Sequence, residues 1–223
     1  MNKIKNENML SLETIITVFT VEKGQLKILL EKKKEDPYKG YWSLPTKILL
    51  RNETIEESID DILEEKLGVS NIYKEQDYTF SNINRNPSDR VIGTSYICLI
   101  DVKTMEIKKE QGSNEEKDWF RIEEIPKTAY DHINVINHAI EKLKTKLNNV
   151  NVLKNLFPSD FTLPELQNIY ESILNIKLDR RNFRKKIMNL DIIEDTGYKN
   201  IGGSGRPAKL YKFKENIKEI NLF

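Results

Sequence analysis

Two neighbouring stretches decide the fold: Asp179-Arg180-Arg181-Asn182-Phe183-Arg184-Lys185-Lys186-Ile187-Met188-Asn189-Leu190, and Gly202-Gly203-Ser204-Gly205-Arg206-Pro207-Ala208-Lys209. The first carries five cations in its first eight residues. Phe183, Ile187 and Leu190 recur at i, i+4 and i+7, which predicts a helix buried along one stripe. At 100° per residue, Arg181 and Lys185 then lie opposite that stripe, with Arg184, Asn182 and Asn189 on its flanks. Asp179 is the expected N-cap. A helix held by one apolar edge and presenting Arg, Lys and Asn on the other suits the DNA major groove. There Arg pairs bidentately with guanine and Asn with adenine, and the N-terminal half of such a helix meets the base edges. Arg180, Arg181, Asn182, Arg184 and Lys185 are therefore candidate DNA contacts. The glycine turn, with Arg206 at its edge and Lys209 just beyond, suits a minor groove. The competing readings are a charged helix on a solvated face and a phosphate loop. The second lacks a following helix and the Lys-Ser/Thr pair of such loops.

Working outward, Leu163 to Ile176 has helical periodicity, Ile192-Ile193 is a short apolar run, and Ala208 to Phe213 is strand-like. Helix, helix, strand, turn, strand is the outline of a winged helix-turn-helix. The expected domain boundary is Asn148-Asn149-Val150-Asn151, separating residues 1–149 from 150–223. Charge divides near the same point. The chain has 223 residues, Lys+Arg 36 and Asp+Glu 35, a net +1. Residues 1–150 hold 23 basic and 26 acidic side chains, or −3, while residues 151–223 hold 13 and 9, or +4.

The first part reads as mixed α/β. Thr14 to Val21 and Leu26 to Glu31 are strand-like runs about a Lys23-Gly24 hairpin, and Val91 to Val102 is a long central strand. Ile55, Ile59, Ile62, Leu63 and Leu67 fall at helical spacing and end at Gly68. Residues 131–148 form an amphipathic helix with Ile133, Ile136, Ile140, Leu143 and Leu147 on one side and Asp131 as its cap. The 19 aromatics (Phe 8, Tyr 9, Trp 2) argue against wholesale disorder. The one cysteine, Cys98, lies in an apolar run and reads as a packed core thiol. It excludes an intrachain disulfide or a thiolate metal site. No apolar run approaches the ~18 residues of a membrane span, and no secretory leader is evident, so a cytoplasmic protein without a membrane partner is expected.

Trp42-Ser43-Leu44-Pro45, then Glu53, then Leu63-Glu64-Glu65-Lys66-Leu67-Gly68-Val69, resembles the Nudix box. Glu53, Leu63, Glu65, Gly68 and Val69 fit it. The leading glycine has become Lys47, the Arg-Glu pair Asp61-Ile62, and the next-to-last acid Lys66. Nudix enzymes hold divalent cations with glutamates one helical turn apart, and Mg²⁺ needs oxygen ligands. Ile62 and Lys66 at those places supply none. Glu64 and Glu65 are adjacent on the helix and point about 100° apart. No metal, cofactor or catalytic residue is therefore expected, and the alternative reading of Glu53 to Glu65 is a solvated acidic face.

Together with Leu163 to Gln167, Asp179 to Arg184, Gly205 to Tyr211, Tyr130-Asp131-His132 and Arg85-Asn86-Pro87, the chain resembles the Nudix-related transcriptional regulators, the NrtR family. The resemblance spans nearly the whole chain. It implies an α/β (α+β) Nudix-type sandwich followed by a winged helix, in a homodimeric bacterial repressor of palindromic operator DNA. Members respond to ADP-ribose or to sugars, so a nucleotide-sugar or sugar effector is expected. Thr46-Lys47 stands where the family usually has Gly-Gly, which places a cation beside the phosphate site. Candidate effector contacts are Trp42, Lys47, Glu53 and Arg85. Trp42 beside Leu44-Pro45 equally suits a core position, and Arg85, like Arg90, equally suits a solvated loop. His132 and His138, six residues apart, lie about 120° apart around a helix and make no metal pair. Two other classes stay open. One is a Nudix hydrolase using Glu53, Glu64 and Glu65, and the other an effector module whose C-terminal domain contacts protein.

Overall fold

The structure is a computed structural model that describes residues 10–101, 116–147, 149–157, 160–200 and 207–215. Strands β1 (Ser11–Glu22) and β2 (Gln25–Lys32) pair antiparallel, with Glu22 opposite Gln25. Lys23 and Gly24 between them have φ of 52° and 72°, the backbone that a two-residue hairpin needs to match strand twist. β1 also runs parallel to β6 (Val91–Ile100), from Ser11 beside Val91 to Thr20 beside Ile100. Strands flanked on both sides and covered on both faces read as continuous apolar runs, which is why these three were legible.

Four further strands complete the sheet: β3 (Trp42–Ser43), β4 (Thr46–Ile48), β5 (Tyr73–Phe80) and β7 (Lys117–Arg121). The order is β3-β2-β1-β6-β5, with β4 on β1 and β7 on β2. Side-chain alternation along β1 sorts the core into two layers. Ile16 and Val18 join Leu29, Tyr96, Cys98 and Ile100 under α1 (Ile55–Leu67). Ile15 and Phe19 join Leu30, Ile97 and Leu99 under α2 (His132–Lys146). Cys98 is a buried core thiol, and burial pushes its pKa up to about 12.

Helix α1 buries Ile59, Ile62, Leu63 and Leu67 and stops at Gly68, whose φ of 66° is left-handed. Its N-cap is Thr54, in a reciprocal capping box with Glu57. In α2 the inward face differs from expectation. His132, Val135, Ile136, Ala139 and Leu143 are buried, whereas Ile133 is 40% exposed. A hydrogen-bonded His and a small Ala take core positions there, which rotates the face away from the all-aliphatic stripe. Asp131 precedes α2 without capping it.

The C-terminal part comprises α3 (Val150–Leu153), α4 (Leu163–Leu174), α5 (Arg180–Asn189), β8 (Ile193–Asn200) and β9 (Ala208–Phe213). A Thr162–Glu165 capping box starts α4, and left-handed Asn175 ends it just before the expected Ile176. β8 is longer than Ile192-Ile193 suggested and pairs with β9 across a register shift between Asp195 and Lys199. The turn Gly202 to Gly205 and Arg206 lie outside the described residues.

The α2-side core continues without a break into this part, through Leu147, Leu153, Leu156, Tyr170 and Ile187. The buried Tyr170 hydroxyl donates to the Leu147 carbonyl at 3.2 Å. Beside this seam lies a cavity of ≈ 560 Å³, lined by Gly24, Gln25 and Arg121 on one side and Asn168, Ser172 and Lys177 on the other. Among the described residues, no helix is long and apolar enough to cross a membrane.

Candidate functional site

The degenerate box is built where β4 crosses over α1. β4 pairs with β1, which sets Lys47 opposite Thr14 on the α1 side of the sheet. The Lys47 ammonium lies 2.6 Å from Asp61 and 2.9 Å from Glu53. Both carboxylates hold its pKa above the usual lysine range, Asp61 foremost. The second oxygen of Glu53 accepts the Leu50 backbone N–H at 2.7 Å. That bond, followed by Lys47, holds the Glu53 carboxyl below the ordinary range. Ile62, at the first lost ligand position, is 1% exposed in the α1-side core. Lys66, at the second, lies 3.3 Å from Glu31 of β2.

A divalent cation does not fit this donor set. Hard cations need several converging oxygens, and here Glu31, Glu53 and Asp61 each already face an ammonium group. Glu64 and Glu65 are exposed on the outside of α1. Among the described residues, no group of three or more His, Cys, Asp or Glu is arranged to hold a metal.

The four expected effector contacts do not converge. Lys47 and Glu53 meet on the α1 side, but Trp42 and Arg85 lie on the α2 side. Trp42 packs edge-on against Phe120 at 4.6 Å between centroids and borders the α2-side core, with Lys32 over its ring. It takes the packing role that Leu44-Pro45 already suggested. Arg85 departs from both of its readings, the solvated loop and the available anion ligand. Its side chain is 2% exposed, donates Nε and Nη2 to Asp131 at 3.1 and 3.0 Å, and donates Nη1 to Glu13 at 2.8 Å. A guanidinium whose fork is filled by two carboxylates is a structural tie. Asp131 is thereby committed to Arg85 and leaves the helix end uncapped.

Sequence reasoning missed what the histidines do. His132 is buried, and its Nδ1 accepts the Leu44 backbone N–H at 3.0 Å. It thus pins the Trp-x-Leu-Pro segment to α2. Desolvation, then the charges of Arg85 and Lys33, push its pKa down to about 3. His138 pairs through Nδ1 with the buried Asp77 carboxylate at 2.9 Å. No spacing in the chain could reveal either partner, since both are long-range.

In the C-terminal part, Asp179 caps α5 by accepting the Asn182 N–H at 2.9 Å. Phe183 and Ile187 are buried, and Leu190 is half-buried against the same core. Arg180, Arg181, Asn182, Arg184 and Lys185 are all exposed. Among the described residues no ion pair engages those four cations, so one helix presents a concentrated positive surface. Glu171 locks the turn before it. Its carboxylate accepts the Leu178 N–H at 3.0 Å and Gln167 Nε2 at 2.8 Å, and pairs with Lys177. Lys209, expected as a DNA contact, is ion-paired across the β8–β9 ribbon to Asp195. That pair is exposed, and such pairs exchange at little cost.

Comparison with known proteins settles the family. Residues 153–213 match the NrtR DNA-binding winged helix domain. The ADPR responsive transcriptional repressor NtrR of Acinetobacter baylyi is 33% identical, over 93% of this chain and 83% of its own length. The chain belongs to the NrtR family. Like NrtR, it is a DNA-binding transcriptional regulator that joins a Nudix-type α/β domain to a winged helix. The crystal structure of Shewanella oneidensis NrtR with a 27mer DNA matches with a TM-score of 0.73 and 30% identity, covering 91% of this chain and 93% of that one. The NUDIX domain of that NrtR with ADP ribose matches with a TM-score of 0.55 and 26% identity, over 64% of this chain and 94% of that one. An enzyme is also a relative: the ADP-ribose pyrophosphatase of Methanocaldococcus jannaschii is 33% identical over 49% of this chain and 63% of its own length.

Proposed function

We propose that this NrtR-family chain is a cytoplasmic homodimeric repressor whose residues 1–149 sense ADP-ribose or a related nucleotide sugar and whose residues 150–223 bind a palindromic operator. The observation that carries the reading is the exposed cation face of α5, standing on a helix-turn-helix in a chain whose relatives are regulators. Arg180, Arg181, Asn182, Arg184 and Lys185 face the major groove, and Arg206 and Lys209 of the wing reach the flanking minor groove. Two such helices in a dimer would meet half-sites about 34–36 Å apart, one turn of DNA. Lys47 and Glu53 are the effector contacts on the α1 side, and the box performs no hydrolysis because Ile62 and Lys66 cannot hold a metal. Effector binding shifts the dimer between two orientations of its winged helices, by as much as its affinities for the two states differ.

The test is fluorescence anisotropy of the full chain on its own upstream DNA, with random DNA as competitor and with ADP-ribose, NAD or arabinose added. Specific, salt-steep binding that ADP-ribose alone alters is the expected result. A response to arabinose alone would move the effector to the sugars. Binding without steep salt dependence would favour a protein partner for the C-terminal part. Absence of specific binding, with Mg²⁺-dependent turnover of ADP-ribose, would favour the hydrolase reading that the pyrophosphatase relative keeps in view.

A further inference from the structure

We propose that the box binds its anionic ligand without a divalent metal, because the ammonium groups of Lys47 and Lys66 supply the charge that a metal ion supplies in an intact box. The ligand class, a diphosphate, rests on the ADP-ribose reading above; the exclusion of metal rests on the residues alone.

Three carboxylates approach the α1 side of the sheet, Glu31, Glu53 and Asp61, and each faces an ammonium group within 3.3 Å. A third cation stands at the same end, where Lys117 Nζ donates to the Lys66 backbone carbonyl at 3.3 Å. Intact boxes concentrate carboxylates and so repel phosphate until a metal ion intervenes. Here each of these three carboxylates is paired with an ammonium group, which weakens the negative field that a phosphate meets. The ammonium groups are also sheltered. The Lys66 side chain is 16% exposed and that of Glu31 18%, so a metal ion would have to break a half-buried pair to reach oxygen. Mg²⁺ gives up its hydration shell reluctantly and tolerates few distortions of its octahedron. Ile62, one turn before Lys66, offers it no oxygen in return. A tethered ammonium pays its placement entropy during folding, whereas a free ion must be captured with each ligand.

The experiment is calorimetric titration of the full chain with ADP-ribose in EDTA and again in excess Mg²⁺. The expected Kd values agree within about twofold, whereas tightening of about tenfold or more with Mg²⁺ overturns the proposal. Lys66→Met, shown to be folded by circular dichroism, is expected to lose at least about fivefold of its affinity in EDTA, and undiminished affinity counts against Lys66. A second measurement needs no ligand: Mn²⁺ titration followed by electron paramagnetic resonance. The wild type is expected to show no stoichiometric site, and Lys66→Glu to bind Mn²⁺ at least about tenfold more tightly. A wild-type Mn²⁺ site, or no gain in Lys66→Glu, overturns the proposal. Failure of ADP-ribose to bind in either buffer would refute the ADP-ribose reading, and the Mn²⁺ comparison would still decide the metal question.

Discussion

His132 shows how much a single buried residue can set. Its ring is neutral in the fold, with a pKa pushed down to about 3, while an unfolded histidine titrates near 6.5. Between those values the unfolded chain takes up a proton that the fold refuses. Stability is therefore fully present above about pH 6.5 and falls with acid, by about 1.4 kcal/mol per pH unit. Urea unfolding at pH 7.5, 6 and 5 should show that slope in the wild type and lose it in His132→Asn. An equal slope in both would assign it elsewhere. Arg85 is the second such residue. Arg85→Ala strands two half-buried carboxylates, Glu13 and Asp131, and should cost about 3–5 kcal/mol. The strand beneath has no room to adjust. A Cβ at Gly93 would lie 2.8 Å from the Arg85 guanidinium carbon and 2.7 Å from Ile15 Cδ1. Gly93→Ala should destabilise the sheet by about 1–3 kcal/mol, and an unchanged melting temperature would show that the tie yields.

At the scale of elements, the placement of α5, the helix proposed to read DNA, rests on the Glu171 contacts in the turn before it. Arg181→Ala should cost about 1–3 kcal/mol on operator DNA and relax preference at one base pair. Uniform weakening on specific and random DNA alike would show a phosphate contact instead. Glu171→Ala frees the Leu178 N–H, Gln167 and Lys177 together, and should weaken operator binding while leaving ADP-ribose affinity intact. Equal loss of both would mean that the turn supports the whole fold. The Gln167, Leu178 and Lys177 contacts hold the Glu171 pKa down to about 2. Their contribution is present above the ordinary carboxylate range and is lost only as pH falls from about 4.5 towards 2.

At the scale of the molecule, one apolar cluster runs from β1 through α2 into α4 and α5. Tyr170, fully buried and hydrogen-bonded to Leu147, stands on that seam. The two parts should therefore melt together, with Trp fluorescence and far-ultraviolet dichroism giving coincident curves. Tyr170→Ala should lower stability by about 3–5 kcal/mol and split the curves. Two transitions already present in the wild type would show independent units.

Elements whose order comes from local periodicity were legible in the chain. α1, α5, β1, β2 and β6 follow from stripes, caps and turn residues that lie within a few positions of one another. So does the departure from the box pattern at Ile62 and Lys66, which is a matter of residue type alone. β5, β7 and most of β8 escaped notice, since charged edge strands such as Tyr73–Phe80 carry no apolar alternation and are defined by their partners. The pairings that redefine Arg85, Asp131, His132 and Lys209 were equally out of reach. Arg85 meets Glu13 and Asp131 from 72 and 46 positions away. The two sides of the sheet divide the expected effector residues by strand register, which only pairing decides. Spacing records what a residue can do along its own element, and tertiary packing chooses which distant charge it must satisfy.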